Sequence, residues 1–76
     1  MNIKEKIGIR IKELREAKGF SQKDIAYSAD LDRSYIASIE NGTRNVSSVN
    51  IEKIAKALQV SVKTFFDDIK FEKYEV

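Results

Sequence analysis

A chain of 76 residues, of which 42% are hydrophobic and 34% charged, can form one small folded domain with a modest core. It contains neither cysteine nor histidine, which excludes disulfides and thiolate or imidazole ligands, so no metal site is expected. The net charge of +2 and the pI of about 8.9 give only weak support for a nucleic-acid partner.

The first helix is predicted near the N-terminus, because apolar residues recur there on one helical face: Ile3, Ile7, Ile11 and Leu14. This helix should end near Lys18, with Gly19 in the left-handed conformation. Ser21 can cap a second helix over Gln22–Ala29. Its buried residues should be Ile25, Ala26 and Ala29.

The turn after the second helix places Asp30 where a left-handed residue is needed, a conformation that aspartate tolerates. Asp32 is then expected to cap a third helix over Arg33–Asn41, which Gly42 ends. Two short helices joined by a tight turn of about three residues are typical of a helix-turn-helix unit. Many small proteins contain such a corner, so the spacing alone does not indicate DNA binding.

Two further helices are predicted, each with a serine as its N-cap. Ser47 caps the fourth, 48–58, and Ser61 caps the fifth, 62–68. The residues expected to face inward are Val49, Ile51, Ile54, Ala55 and Leu58 in the fourth helix, and Phe65 and Phe66 are carried by the fifth. The tail, 69–76, fits a helix extension, a short strand or a frayed end. The prediction is thus an all-α, compact five-helix domain spanning 1–76, with its core in 3–68.

The location of the protein follows from segments that are missing. No apolar run approaches the roughly 20 residues of a membrane span, and residues 1–6 lack the apolar segment of a signal peptide. We therefore expect a cytoplasmic protein with no membrane partner.

Residues 1–47 hold nine basic and seven acidic residues, whereas 48–76 hold five of each. The surplus of positive charge therefore lies in the first part of the chain.

The outer face of the third helix carries small or polar side chains, namely Arg33, Ser34, Ala37, Ser38 and Asn41. Narrow side chains allow a helix to enter the major groove, and polar ones can reach base edges. An ordinary solvated helix usually carries more lysine and glutamate in i,i+4 pairs. The face therefore favours DNA binding, although an exposed face without a partner remains the alternative.

Three segments of the chain resemble the Cro/C1-type (XRE) helix-turn-helix family. They read LREAKGFSQKDIA at 14–26, LDRSYIASIENGTRN at 31–45 and IEKIAKALQVS at 51–61. Within the family, the second of these segments is most similar to the controller proteins of bacterial restriction–modification systems. The resemblance implies a fold of the lambda-repressor-like DNA-binding type and a sequence-specific transcriptional regulator. A prophage-type repressor, a general regulator, or an antitoxin whose main partner is another protein are the alternatives.

The resemblance also implies site residues. Gln22 would contact a DNA phosphate with the help of its backbone N–H, and Lys23 beside it is a second phosphate partner. Both residues could instead be solvated surface residues. Arg33 is the strongest candidate for a base contact, because a guanidinium can bridge O6 and N7 of guanine. A phosphate contact, or a salt bridge to a neighbouring aspartate, is the alternative for Arg33.

The other members of the candidate DNA-binding set are expected to play adaptable roles. Ser34 and Ser38 can donate or accept hydrogen bonds, while Ala37 could pack on a thymine methyl group or only permit close approach. Tyr35 belongs to the DNA-facing set of the controller proteins, with its ring at the core edge. The loop residues that suit backbone contacts are Asn41, Thr43, Arg44 and Asn45. In the controller-like relatives the arginine that matches Arg44 also approaches base edges.

Two structural features complete the expectations. The family buries an ion pair at the positions of Arg15 and Glu40, which would tie the first helix to the third. One recognition helix reads too few base pairs for specificity, so a homodimer on two half-sites about 34 Å apart is expected. The candidate interface residues are Val62, Phe65, Phe66 and Ile69. One phenylalanine should fill the core while the other meets the partner, unless both are buried in the monomer.

Other functions have little support in the sequence. There is no glycine-rich phosphate loop and no serine in a nucleophile elbow, so an enzyme is not expected. No cofactor is implied, and without an added sensor domain no small-molecule ligand is expected. Activation of transcription would need a contact with RNA polymerase, for which no residues could be identified.

Overall fold

The computed structural model describes residues 1–72, which form α-helices and one 3₁₀ turn without a β-strand. The elements are α1 (Ile3–Ala17), α2 (Gln22–Ala29), α3 (Arg33–Glu40), α4 (Ser48–Ala57), α5 (Val62–Phe66) and the 3₁₀ turn Ile69–Phe71. The all-α, five-helix prediction is therefore confirmed for the described part of the chain. Of the predicted tail, 69–76, the last four residues lie outside the described range.

The helices begin at side-chain caps that can be read in the sequence. Ser21 Oγ accepts from the backbone N–H of Asp24 at 3.0 Å, and the Asp24 carboxylate accepts from the N–H of Ser21 at 2.8 Å. That backbone hydrogen bond from Ser21 lowers the pKa of Asp24. Ser47 Oγ and Ser61 Oγ likewise accept from the backbone N–H groups of Asn50 and Thr64, so they cap α4 and α5 as predicted, without a reciprocal bond from the serine N–H to the third residue.

The predicted cap at Asp32 is wrong in one respect. Asp32 has the extended backbone of an N-cap, but its carboxylate accepts no hydrogen bond from α3. The N–H of Tyr35, which such a cap would normally engage, instead donates to the backbone carbonyl of Asp32 at 3.1 Å. The start of α3 is therefore closed by the main chain, and the Asp32 side chain is exposed.

The turns behave largely as expected. Gly19 and Gly42 have φ of 75° and 76°, and Asp30 adopts the left-handed conformation with φ of 56°. Gln59 also has a positive φ, 62°, although glutamine carries no sequence signal for that conformation. Three helix ends were predicted late: α3 ends at Glu40 instead of Asn41, α4 at Ala57 instead of 58, and α5 at Phe66 instead of 68.

The core is built from aliphatic side chains of the first four helices and from Phe65 of α5. Its fully buried large side chains are Ile11, Ile25, Ile36, Ile39, Ile54, Leu58 and Phe65. Val49 was expected to face inward, but it is 62% exposed. It precedes Ile51 by two residues, which places it about 200° around α4 from the inward face.

α1 approaches the last turn of α3 closely at Gly8. A Cβ atom at Gly8 would overlap the backbone carbonyl oxygen of Ile39 and would lie 3.0 Å from that of Glu40. Glycine is therefore the residue that lets the two helices meet at this distance. Sequence spacing indicates no role for Gly8, because the backbone it meets lies far along the chain.

Polar contacts attach α5 and the 3₁₀ turn to α1. Arg10 Nε donates to the carbonyl of Phe65 at 2.7 Å, and its Nη2 donates to that of Thr64 at 2.8 Å. Lys70 Nζ bridges the carboxylates of Glu13 at 2.7 Å and Asp68 at 2.8 Å. The hydrogen bond from Lys70 lowers the pKa of Asp68.

No helix in residues 1–72 is long and apolar enough to cross a bilayer.

Candidate nucleic-acid interface

The α2–turn–α3 corner sets the direction of α3. Leu31 N–H donates to the carbonyl of Ala26 at 2.9 Å, which closes the turn directly after α2. α3 packs on both α1 and α2, with Ile36 and Ile39 completely buried beneath it. The opposite side of α3 is consequently directed away from the core.

The outer face of α3 consists of Arg33, Ser34, Ala37, Ser38 and Asn41, as predicted from helical spacing. Arg33, Ser34 and Asn41 are exposed, while Ala37 and Ser38 are partly exposed. Within residues 1–72, Arg33 forms no ion pair with Asp30 or Asp32. The salt-bridge alternative for Arg33 is therefore absent from the described residues, and its guanidinium is available to an external acceptor.

Two hydroxyls in this region have their hydrogens engaged within the protein. Ser38 Oγ donates to the carbonyl of Tyr35 at 2.8 Å, and Thr43 Oγ1 donates to the carbonyl of Ser38 at 3.0 Å. Ser38 was expected to donate or accept freely. In this arrangement its hydroxyl oxygen is left as an acceptor, so it is better suited to a base amino group than to a phosphate.

Tyr35 lies at the centre of a small polar group between α3, the loop and α4. Asn50 Nδ2 donates to Tyr35 Oη at 3.0 Å, and the Arg44 guanidinium lies over the Tyr35 ring, 4.9 Å from its centroid. Tyr35 is half-buried and packs at the edge of the core, whereas Arg44 is exposed. The part of Asn50 in this group was not predicted, since Asn50 contacts Tyr35 only in the folded chain.

Arg15 and Glu40 form the ion pair between α1 and α3. Arg15 Nε and Nη2 donate to the two carboxylate oxygens of Glu40 at 2.7 and 3.0 Å, and Nη1 donates to the carbonyl of Phe20 at 2.9 Å. The side chains are only 11% and 3% exposed. The hydrogen bond that Arg15 donates to the Glu40 carboxylate raises the pKa of Arg15.

Gln22 joins this pair. Its Nε2 donates to Glu40 Oε1 at 3.1 Å, so the amide of Gln22 is held by the same carboxylate that holds Arg15. Lys23 and Asn45, two other members of the candidate set, are exposed. Gln22 is thus held in place by the buried ion pair.

The candidate dimer surface lies around α5. Phe65 is 1% exposed and belongs to the core of the monomer, so it has almost no surface for a partner and is removed from the predicted interface. Phe66 is half-buried, in edge contact with Phe65 at 4.9 Å and with Phe71 at 5.0 Å. Val62 and Ile69 are 42% and 74% exposed.

The family of the chain follows from comparison with known proteins. Residues 11–65 match the helix-turn-helix family model, and the chain belongs to this family, in its Cro/C1-type branch. Among its relatives is the control protein C.MunI of a Mycoplasma species, 47% identical over 72 residues, which are 93% of this chain and 97% of the relative.

Solved structures of controller proteins have the same fold. The restriction–modification controller protein C.AhdI from Aeromonas hydrophila is 49% identical, with a TM-score of 0.80 over 83% of this chain and 96% of that one. C.Esp1396I, solved as a tetramer with its natural 35 base-pair operator, is 40% identical, with a TM-score of 0.84 over 88% of each chain. The chain is thus similar to restriction–modification controller proteins.

Among residues 1–72 no cluster of acidic side chains could hold a metal ion.

Proposed function

We propose that the protein is a sequence-specific DNA-binding transcriptional regulator, the controller of a restriction–modification system, which binds a palindromic operator as a homodimer. The observation that carries the proposal is the outer face of α3, which is narrow and polar. At its N-terminal end lies the Arg33 guanidinium, which forms no ion pair within residues 1–72. The similarity to control proteins over nearly the whole chain supports the controller role.

In this proposal the contacts divide into two classes. Arg33 reads a guanine, and Ser34, Ala37 and Ser38 line the base edges beside it. The residues that hold the DNA backbone are Gln22, Lys23, Tyr35, Asn41, Arg44 and Asn45. Thr43 supports the loop instead, because its backbone N–H and its hydroxyl both donate to the carbonyl of Ser38. Gln22 enters at the N-terminus of α2, where free backbone amides favour a phosphate oxygen.

Selection of bound sites from random duplex DNA tests the proposal. The wild-type protein should select a palindrome, and Arg33→Ala should lose the preference mainly at one position per half-site, where discrimination is about 1–3 kcal/mol. Lys12→Ala, which removes an exposed charge from α1, is the control and should select the wild-type site. An equal loss for every sequence would make Arg33 a phosphate contact. Failure of the wild-type protein to retain any duplex at low salt would overturn the function itself.

The dimer is expected to form through the surface of Val62, Phe66 and Ile69. Ile69→Glu would place a charge on a 74% exposed apolar position, and a desolvated charge opposes association. Sedimentation at micromolar concentration should give about twice the 8.7 kDa chain mass for the wild-type protein and the chain mass for the variant. Ile3→Glu, at a 56% exposed position, is the control and should stay dimeric. A dimeric Ile69→Glu variant would place the interface elsewhere.

The proposal extends to the setting in which such a regulator acts. A protein that controls a promoter meets RNA polymerase there, so RNA polymerase is a proposed partner and the cytoplasm the proposed location. No catalytic step, cofactor or small-molecule ligand forms part of the proposal.

A further inference from the structure

Asn50 is a residue of α4 whose side chain is directed back to α3. Its backbone N–H is held by the Ser47 cap at 3.1 Å, which fixes the first turn of α4. From there Asn50 Nδ2 reaches Tyr35 Oη at 3.0 Å. Both residues are half-buried, so water competes less with this hydrogen bond than with one on an open surface.

The direction of the hydrogen bond determines what the Tyr35 hydroxyl can do. The amide nitrogen of Asn50 is a donor only, so Tyr35 Oη acts as the acceptor. The hydroxyl hydrogen of Tyr35 is therefore not used by Asn50, and no acceptor for it lies among the hydrogen bonds of residues 1–72. It can be donated outward, and a phosphate oxygen of a DNA backbone is an acceptor of the right chemistry.

The ring of Tyr35 in turn supports Arg44. The guanidinium lies 4.9 Å from the ring centroid, within the distance of a cation–π contact. Arg44 forms no ion pair within the described residues, so its N–H donors stay available. A guanidinium held over a fixed ring has less freedom to lose when it meets DNA.

We propose that Asn50 is a positioning residue of the DNA interface. It fixes the Tyr35 ring, which holds Arg44 ready for the duplex, and it leaves the Tyr35 hydroxyl hydrogen to a backbone phosphate. The inference rests on the proposed function. Asn50 acts through Tyr35 and Arg44 and does not itself contact the DNA.

A double-mutant cycle on operator binding tests the inference, with Asn50→Ala, Tyr35→Phe and the combined variant. The duplex is the site selected by the wild-type protein. Each single variant should weaken binding about three- to ten-fold, the range of coupled contacts. The combined variant should bind no more weakly than Tyr35→Phe alone, because Asn50 then has no hydroxyl to hold. Val49→Ala, a neutral change at a 62% exposed neighbour on α4, is the matched control and should bind as the wild type does.

A spectroscopic readout follows the position of Arg44 in the free protein. The Tyr35 ring current should shift the Hε resonance of Arg44 upfield from that of the exposed Arg33. In Asn50→Ala the Arg44 resonance should move towards the Arg33 position, while the melting temperature stays near that of the wild type.

The outcomes separate the two proposals. A wild-type protein that binds no duplex overturns the proposed function. If the wild-type protein binds and Asn50→Ala binds equally well, or leaves the Arg44 resonance in place, the positioning role is wrong and the function stands. An equal loss from Asn50→Ala in the Tyr35→Phe background would mean that Asn50 contacts DNA directly, which also overturns the inference.

Discussion

Replacing Glu40 with alanine is expected to lower the free energy of unfolding by about 3–5 kcal/mol, the cost of breaking a buried ion pair. The loss is large because Arg15, whose side chain is only 11% exposed, would keep its charge and retain only the carbonyl of Phe20 as a hydrogen-bond partner. Gln22 would lose its hydrogen bond to the Glu40 carboxylate at the same time. DNA binding should therefore weaken together with stability.

Thermal or urea unfolding measures the loss of stability in Glu40→Ala. Duplex binding, at a temperature where the variant is folded, measures its loss of DNA affinity. Glu52→Ala removes an exposed carboxylate from α4 and is the matched control, for which a change within about 0.5 kcal/mol is expected. A Glu40→Ala variant that unfolds with the wild-type midpoint would show that the pair contributes nothing to stability.

Gly8→Ala is expected to destabilise the protein by about 3 kcal/mol, at the upper end of the range for overpacked cores. The added methyl group would meet the backbone carbonyl oxygens of Ile39 and Glu40, and a backbone in a helix cannot turn aside as a side chain can. The helix preference of alanine acts in the opposite direction, by about 1 kcal/mol. The expected result is therefore a net loss of stability, whereas helix propensity alone would predict a gain.

The measurement for Gly8→Ala is the unfolding midpoint together with helix content by circular dichroism. Lys12→Ala, an exposed site one turn further along α1, controls for the propensity of alanine and should leave stability nearly unchanged. A raised midpoint for Gly8→Ala would mean that α1 and α3 can move apart without cost, and the close approach would then have no role in holding α3.

Features of the fold that depend on neighbouring residues can be predicted from the sequence. Ser21, Ser47 and Ser61 marked helix starts because a cap acts within three residues. The prediction for Asp32 was wrong because a carbonyl of the same residue took the place of its side chain.

Contacts between distant residues could not be found in the same way. The approach at Gly8 and the bond from Asn50 to Tyr35 join residues that periodicity does not relate. The ion pair of Arg15 and Glu40 was expected only from the resemblance to a family. The outer face of α3, in contrast, followed from helical spacing alone.

The four arginines of the chain fall into two pairs, and each pair has a different bearing on how regulation could fail in a cell. Arg10 and Arg15 donate their hydrogen bonds to carbonyls and to the carboxylates of Asp68 and Glu40, whereas Arg33 and Arg44 form no ion pair within residues 1–72. Loss of one of the first pair would reduce the supply of folded protein and expose the rest to proteolysis. Loss of one of the second pair, on the proposed function, would leave a normal supply of a protein that occupies its promoter poorly.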